Sequence, residues 1–106
     1  MSEQERFFLE IILQTADSTV HARDDVEDPL QEALTAAGLG EVTGAGAGLG
    51  VSNIDVEVTD VEAGLALVRR VLRELRIPPS TMIYLNEGDY SKGTDRVISY
   101  PVYEPP

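Results

Sequence analysis

A strictly alternating segment, residues 53–59, constrains the fold of this chain more than any other feature. In it, Ile54, Val56 and Val58 alternate with polar residues. A period of two is typical of a β-strand with one buried and one exposed face. The segment Leu39–Thr43 leads into it through the glycine-rich run GAGAGLG. We therefore predict a β-hairpin with either a glycine-rich tip or a bulged first strand.

Three other segments have the length and composition of strands. They are Phe7–Leu13, Thr81–Asn86 and, as a short extra strand at the C-terminal end, Arg96–Tyr100. The first is apolar enough for the centre of a sheet, with Glu10 as its one charged residue.

Two helices are predicted between the strands. Asp28 followed by Pro29 is typical of a helix start, and Gly38 of a helix end. Asp60 predicts the cap of a second helix, which runs from Val61 to about Arg76 and carries a regularly spaced apolar stripe.

The element order β-α-β-β-α-β predicts an α+β fold of the ferredoxin-like type, a βαββαβ sandwich. Its sheet is antiparallel and carries both helices on one face, because right-handed crossovers place them there. The short extra strand follows at the C-terminal end. The length of 106 residues suits a single α+β domain over residues 1–106, with residues 100–106 as an irregular tail.

Composition narrows the classes of function. The chain has 19 acidic and 8 basic residues, a formal net charge of −11. Such a charge disfavours binding to nucleic acid and to anionic membranes. It would attract a basic protein partner, and the alternative is that it serves solubility alone. Neither a secretory signal nor a membrane-spanning run is recognised, so we expect a cytoplasmic protein.

Metal, cofactor and nucleophile chemistry find little support. The absence of cysteine excludes disulfides, thiolate zinc sites and thiol nucleophiles. His21 is the only histidine, and we interpret it as an exposed loop residue. We therefore predict no catalytic residues, no metal site and no cofactor.

The side of the sheet away from the helices is the predicted binding surface. Alternation along the strands assigns to it Phe8, Glu10, Ile12, Asp55, Glu57, Met82 and Tyr84. Because the first and third strands should be neighbours, Glu10 is expected close to Asp55 or Glu57. These carboxylates could bind a hard cation or act as an acid–base pair, but the D-x-E spacing is common in exposed strands.

The glycine run is the second candidate site. Gly44, Gly46, Gly48 and Gly50 do not form the dinucleotide pattern G-x-G-x-x-G, and a strand follows them where a helix would be needed to bind phosphate. We predict a flexible loop at the hairpin tip, with a mobile binding loop as the functional alternative.

An arginine stripe stands out against the acidic background. Arg69, Arg73 and Arg76 share one face of the second helix. We expect them to pair with acidic residues between Asp24 and Glu32, because the two helices should lie side by side.

Two functions follow from these features. The first is a non-enzymatic acidic module that binds a basic protein, for example an immunity-type or antidote protein that neutralises a basic toxin. The alternative is a small-molecule-binding or catalytic ferredoxin-like homodimer with a site on or near the sheet. The fold by itself does not choose between them, because one architecture hosts unrelated activities.

Overall fold

The computed structural model of the chain describes residues 6–14, 24–48, 50–87 and 96–103. His21 lies outside these residues. Within them the elements, in chain order, are β1 (Phe7–Gln14), α1 (Asp24–Ala37), β2 (Gly40–Gly48), β3 (Val51–Val58), α2 (Val61–Glu74), β4 (Met82–Glu87) and β5 (Arg96–Pro101).

The strands form one antiparallel sheet in the order β2-β3-β1-β4-β5. The predicted antiparallel α+β fold is thereby confirmed, and β1 and β3 lie inside the sheet as expected. The extra C-terminal strand, β5, pairs with β4 and forms an edge. The observed order therefore differs from that of a four-stranded βαββαβ sheet by one added edge strand.

One face of the sheet and both helices enclose the hydrophobic core. The strand residues that point into it are Leu9, Ile11, Leu13, Ile54, Val56, Val58, Ile83 and Leu85, all of them buried. Leu30 and Leu34 of α1 and Val68 and Leu72 of α2 belong to the same cluster. Both helices therefore cover the same face, and the predicted orientation of β1 is confirmed.

The start of α1 differs from the prediction. The helix begins at Asp24, so Asp28 is an internal residue and Pro29 lies inside the helix. The earlier turn buries Val26 completely, one turn before the predicted apolar stripe. We attribute the longer helix to this burial, which offsets the hydrogen bond that an internal proline cannot make.

α2 begins as predicted. Asp60 is its N-cap, and the Asp60 carboxylate accepts a hydrogen bond of 2.9 Å from the backbone N–H of Ala63. Gly64 allows the helix to approach the sheet closely, because a Cβ there would lie 2.8 Å from the side chain of Val58.

The glycine run is the main structural correction. Gly44, Gly46 and Gly48 belong to β2, and only Gly50, with φ of +83°, lies in the turn that leads to β3. The flexible loop predicted over these glycines is therefore wrong. The alternative, a hairpin with a bulged first strand, is confirmed, because β2 pairs with β3 along its length and its register shifts between Val42 and Gly44. Backbone pairing does not need side chains, so the ladder continues through residues whose composition is more typical of a turn.

Two arginines of α2 have main-chain partners in the C-terminal segment. Arg69 Nε donates to the carbonyl of Pro101 and Arg73 Nε to the carbonyl of Val102, each at 2.9 Å. The Tyr103 hydroxyl donates to the carbonyl of Ile77 at 2.6 Å. The described part of the predicted irregular tail, residues 100–103, thus continues β5 to Pro101 and buries Val102 against the core, and residues 104–106 lie outside the described residues.

Candidate functional site

The open face is the side of the sheet that no described helix covers. All seven residues predicted for it lie there, on the adjacent strands β3, β1 and β4. Phe8 is 50% exposed, whereas Ile12, Met82 and Tyr84 are half-buried. The face thus combines apolar side chains with carboxyl groups.

A pair of carboxyl groups, Glu10 and Asp55, lies at the centre of this face. The two residues are directly opposite in the β1–β3 register, and both are half-buried. Burial raises the pKa of Glu10, and the negative charge of Asp55 and a hydrogen bond to Asp55 raise it further. Among the described residues, no cationic side chain is recorded in a salt bridge with either carboxyl group.

Polar groups surround this carboxyl pair. Asn53 Nδ2 donates to Asp55 Oδ1 at 3.4 Å, and Thr43 Oγ1 donates to the backbone carbonyl of Asp55 at the same distance. A depression of about 320 Å³ lies above the pair, and its lining includes Phe8, Thr43 and Asn86. One aromatic side chain and several hydrogen-bonding groups therefore border the two carboxyl groups.

The end of the face nearest α1 is partly neutralised. Glu57 forms a salt bridge with Arg6, and Glu41 lies opposite Glu57 in the β2–β3 register. The hydrogen bond and the charge of Glu57 raise the pKa of Arg6. Arg6, Glu41 and Glu57 also line a cleft of about 410 Å³ that extends to Gln31 and Thr35 of α1. Because this carboxylate has a cation, Glu10 and Asp55 are the more available acidic groups for a partner.

A bulge at Thr43 brings the three glycines that follow it in β2 onto the open face. The β2–β3 register shifts between Val42 and Gly44, so that Gly44 lies opposite Asp55 and Gly46 opposite Asn53. Gly48 and Gly50 lie further out along the hairpin. Sequence reasoning did not place Gly44 and Gly46 beside Asp55, although one signal exists. Ala45 and Ala47 lie an odd number of residues after Val42, so a regular strand would place them on the opposite face from Val42. A bulge between them brings these three apolar residues to one face.

A metal site and a membrane-spanning helix find no support in the described residues. Among the described residues, no group of three or more His, Asp or Glu side chains is arranged to hold a metal ion. No helix in that part of the chain has the length and hydropathy needed to cross a bilayer.

Comparison with known proteins leaves the family open: no family model, no curated protein and no solved structure matches this chain. The geometry and charge of the open face are therefore the features that indicate a function.

Proposed function

We propose that this protein binds a basic protein partner through the open face of its sheet and has no catalytic role. One observation carries the proposal: the carboxyl pair Glu10 and Asp55 lies side by side, without a described cation, next to the exposed ring of Phe8. A lysine or arginine side chain of the partner would relieve the repulsion between the two carboxyl groups. Its hydrogen bonds to water would be replaced by charge-assisted hydrogen bonds to the carboxylates.

The charge of the whole chain supports a basic partner. A net charge of −11 attracts cationic proteins over long distances and increases their association rate. Carboxylates at the centre of the face would then fix the orientation of the partner.

The apolar side chains supply the second requirement of a protein interface. Phe8, Ile12, Met82 and Tyr84 lie on the three neighbouring strands around the carboxyl pair. Aromatic residues and methionine are enriched at the centres of protein interfaces, where their burial contributes most of the binding energy. The combination of these groups with carboxylates favours a protein surface over a small ligand.

Two further inferences concern the type of fold and the type of partner. We infer a ferredoxin-like βαββαβ arrangement to which β5 adds an edge strand. We also infer an antidote-type role, in which the carboxylates occupy the place of substrate phosphates on a basic toxin such as a nuclease. Size, acidity and the lack of a catalytic pattern support this role.

The test compares two double variants of equal charge change. Glu10→Gln with Asp55→Asn alters the open face, whereas Glu32→Gln with Glu62→Gln alters exposed carboxylates on the two helices. Proteins captured by the wild-type chain would be identified, purified and titrated against all three forms. We expect the first variant to weaken binding at least about tenfold and the second by less than about twofold. Equal effects of the two variants would contradict the proposal.

The salt dependence of the same titrations provides a second readout. Affinity should fall between about 0.1 M and about 0.5 M NaCl for the wild-type chain, because exposed charges are screened over shorter distances. The dependence should be smaller for the variant that lacks the carboxyl pair. A complex that is insensitive to salt would argue against electrostatic recognition.

One observation favours the alternative, a ligand-binding or catalytic homodimer. Glu10, with its raised pKa, borders a depression beside a second carboxyl group, an arrangement also typical of acid–base sites. A stable dimer in solution, together with small-molecule binding that Glu10→Gln abolishes, would support this alternative over the proposal.

A further inference from the structure

The outer edge of β2 is a more specific candidate binding site than the acidic surface as a whole. β2 is the first strand in the sheet order, so no strand of the described residues lies on its outer side. Gln31 Oε1 accepts a hydrogen bond of 2.8 Å from the backbone N–H of Val42 and covers the edge at that point. From Gly44 to Gly48, no described residue makes a backbone hydrogen bond to the outer side.

This part of the edge lacks the usual protection against strand pairing. Natural edge strands carry lysine, proline or inward-pointing charges that prevent another strand from pairing with them. A bulge protects an edge in the same way, and β2 has one at Thr43. From Gly44 to Gly48, however, the strand has no bulge, lysine, proline or charged residue, and Ala45 and Ala47 are exposed. The opposite edge, β5, contains Pro101, which cannot donate a ladder hydrogen bond.

The side chains of β3 lean across β2 toward this edge. A Cβ at Gly44 would lie 3.4 Å from Asp55 Oδ2, and one at Gly46 would lie 2.9 Å from Asn53 Oδ1. Because glycine has no Cβ, these two oxygen atoms have room to lie beside β2 at Gly44 and Gly46. Two oxygen atoms, one of them from a carboxylate, therefore lie close to β2 at two alternate positions of the strand.

We propose that the edge of β2 at Gly44–Gly48 binds an extended basic segment of the partner protein as an added strand. The inference rests on the proposed function and specifies how the partner is held. Main-chain hydrogen bonds to β2 supply affinity, and alternate lysine or arginine side chains lie over Gly44 and Gly46 and reach Asp55 and Asn53. The added strand lies about 9.6 Å from β3, two strand spacings, and a long basic side chain covers most of that distance.

Charge selects this occupant over a second copy of the chain. Pairing two β2 edges would bring a second Glu41 and a second Asp55 to the same edge, in a molecule that already carries a net charge of −11. A basic segment instead neutralises these carboxylates.

The first experiment uses three synthetic peptides and the full chain. One peptide of about nine residues, the length of β2, alternates lysine and valine. The second replaces lysine with glutamine, and the third is methylated at its central backbone nitrogens so that neither of its edges can donate. We expect the glutamine peptide to bind at least about tenfold more weakly than the lysine peptide, and the methylated peptide not to bind.

The position of the peptide is measured by amide hydrogen exchange. Binding should slow exchange within Gly44–Gly48 and leave β5 unchanged. Binding of the methylated peptide, or protection at β5 in place of β2, would overturn the inference. So would protection of β2 in the free chain together with self-association in sedimentation, because a second copy would then occupy the edge.

Glycine variants test the role of the space above β2. Gly44→Val with Gly46→Val fills it, and the atoms displaced are the ends of the flexible Asp55 and Asn53 side chains. Gly48→Val is the matched control, because a Cβ there meets no atom within 4 Å. We expect the preference for lysine over glutamine to fall to about twofold or less in the double variant and to persist in the control. Persistence in both would overturn the inference.

The two proposals can fail separately. If a captured basic protein depends on Glu10 and Asp55 but tolerates the glycine variants, the proposed function stands and strand addition is wrong. If the lysine peptide adds to β2 while no basic protein depends on the carboxyl pair, the edge site stands without the proposed function.

Discussion

At the scale of single residues, Gly40 is required by the close approach of two backbones. A Cβ at this first residue of β2 would lie 1.9 Å from the carbonyl oxygen of Glu57. No side-chain rotation relieves that overlap, because the opposing atom belongs to the backbone of β3. Gly40→Ala should therefore lower the free energy of unfolding by more than about 2 kcal/mol.

Gly48→Ala is the matched control for this prediction, since its added Cβ meets no atom within 4 Å. It should change the free energy of unfolding by less than about 0.5 kcal/mol. Urea denaturation of both variants measures the difference. Similar losses of stability at the two positions would show that replacing any glycine of this strand lowers stability, and that backbone overlap at Gly40 is not the cause.

The raised pKa of Glu10 predicts a particular dependence of stability on pH. Burial and the neighbouring Asp55 favour the protonated carboxyl in the folded state. The folded protein consequently binds this proton more tightly than the unfolded chain, and this contribution to stability decreases as the pH rises from the ordinary carboxyl pKa through the raised one. Above the raised pKa, Glu10→Gln should be more stable than the wild-type chain.

The difference between the two proteins should disappear as the pH falls below the ordinary carboxyl pKa. Urea denaturation at a series of pH values from about 3.5 to about 8 covers this window. Glu32→Gln, on the exposed side of α1, serves as the control for general charge effects. A wild-type chain that remains more stable than Glu10→Gln at neutral pH would contradict the assigned direction.

At the scale of the elements, the same residue type has different roles in the two helices. Asp60 caps α2 through a 2.9 Å hydrogen bond to the Ala63 backbone N–H, whereas Asp28 is an exposed residue inside α1. Asp60→Ala should therefore lower the free energy of unfolding by about 1 kcal/mol. Asp28→Ala should have little effect, or stabilise α1 slightly, because alanine has the higher helix propensity.

Urea denaturation of these two variants also distinguishes the two starting points of α1. A loss of about 1 kcal/mol in Asp28→Ala would support a helix that starts at Pro29, as the sequence predicts. An unchanged stability would support the start at Asp24 that the structure has.

These elements show what the sequence pattern can predict and what it cannot. Alternation in β3 and the capping residue of α2 specify local structure directly, and both predictions agree with the structure. The start of α1 could not be predicted, because it depends on tertiary burial of Val26 under the sheet. Composition alone could not decide whether the glycines of β2 form a loop or a bulged strand, because their pairing is supplied by β3 and not by their own propensity.

At the scale of the whole molecule, the candidate site follows from an asymmetry of the sheet. Two helices cover one face, and the alternation of β1, β3 and β4 then assigns every predicted open-face residue correctly. The juxtaposition of Glu10 and Asp55 was predictable from strand order. The place of Gly44 and Gly46 beside Asp55 was not, because a single bulge at Thr43 changes the phase of β2. Function is harder to predict, because a surface that combines acidic and apolar residues is not specific to one function.

The same asymmetry predicts the oligomeric state of the free protein. An open face with Phe8 half exposed and Val97 56% exposed could pair with a second copy through apolar contacts. Stacking two open faces, however, would bring together two sets of Glu10 and Asp55 in chains that each carry a net charge of −11. Because repulsion of this kind is long-range at low ionic strength, we expect a monomer at about 0.05 M NaCl.

Sedimentation equilibrium over a range of protein concentrations measures this state. The expected result is the mass of a single chain at low salt, with weak association at most near 1 M NaCl, where the charges are screened. A stable dimer at low salt that Phe8→Ser dissociates would mean that apolar burial outweighs charge repulsion on this face. The open face would then be occupied by a second copy, and the ligand-binding homodimer would replace the basic partner as the better account of the protein.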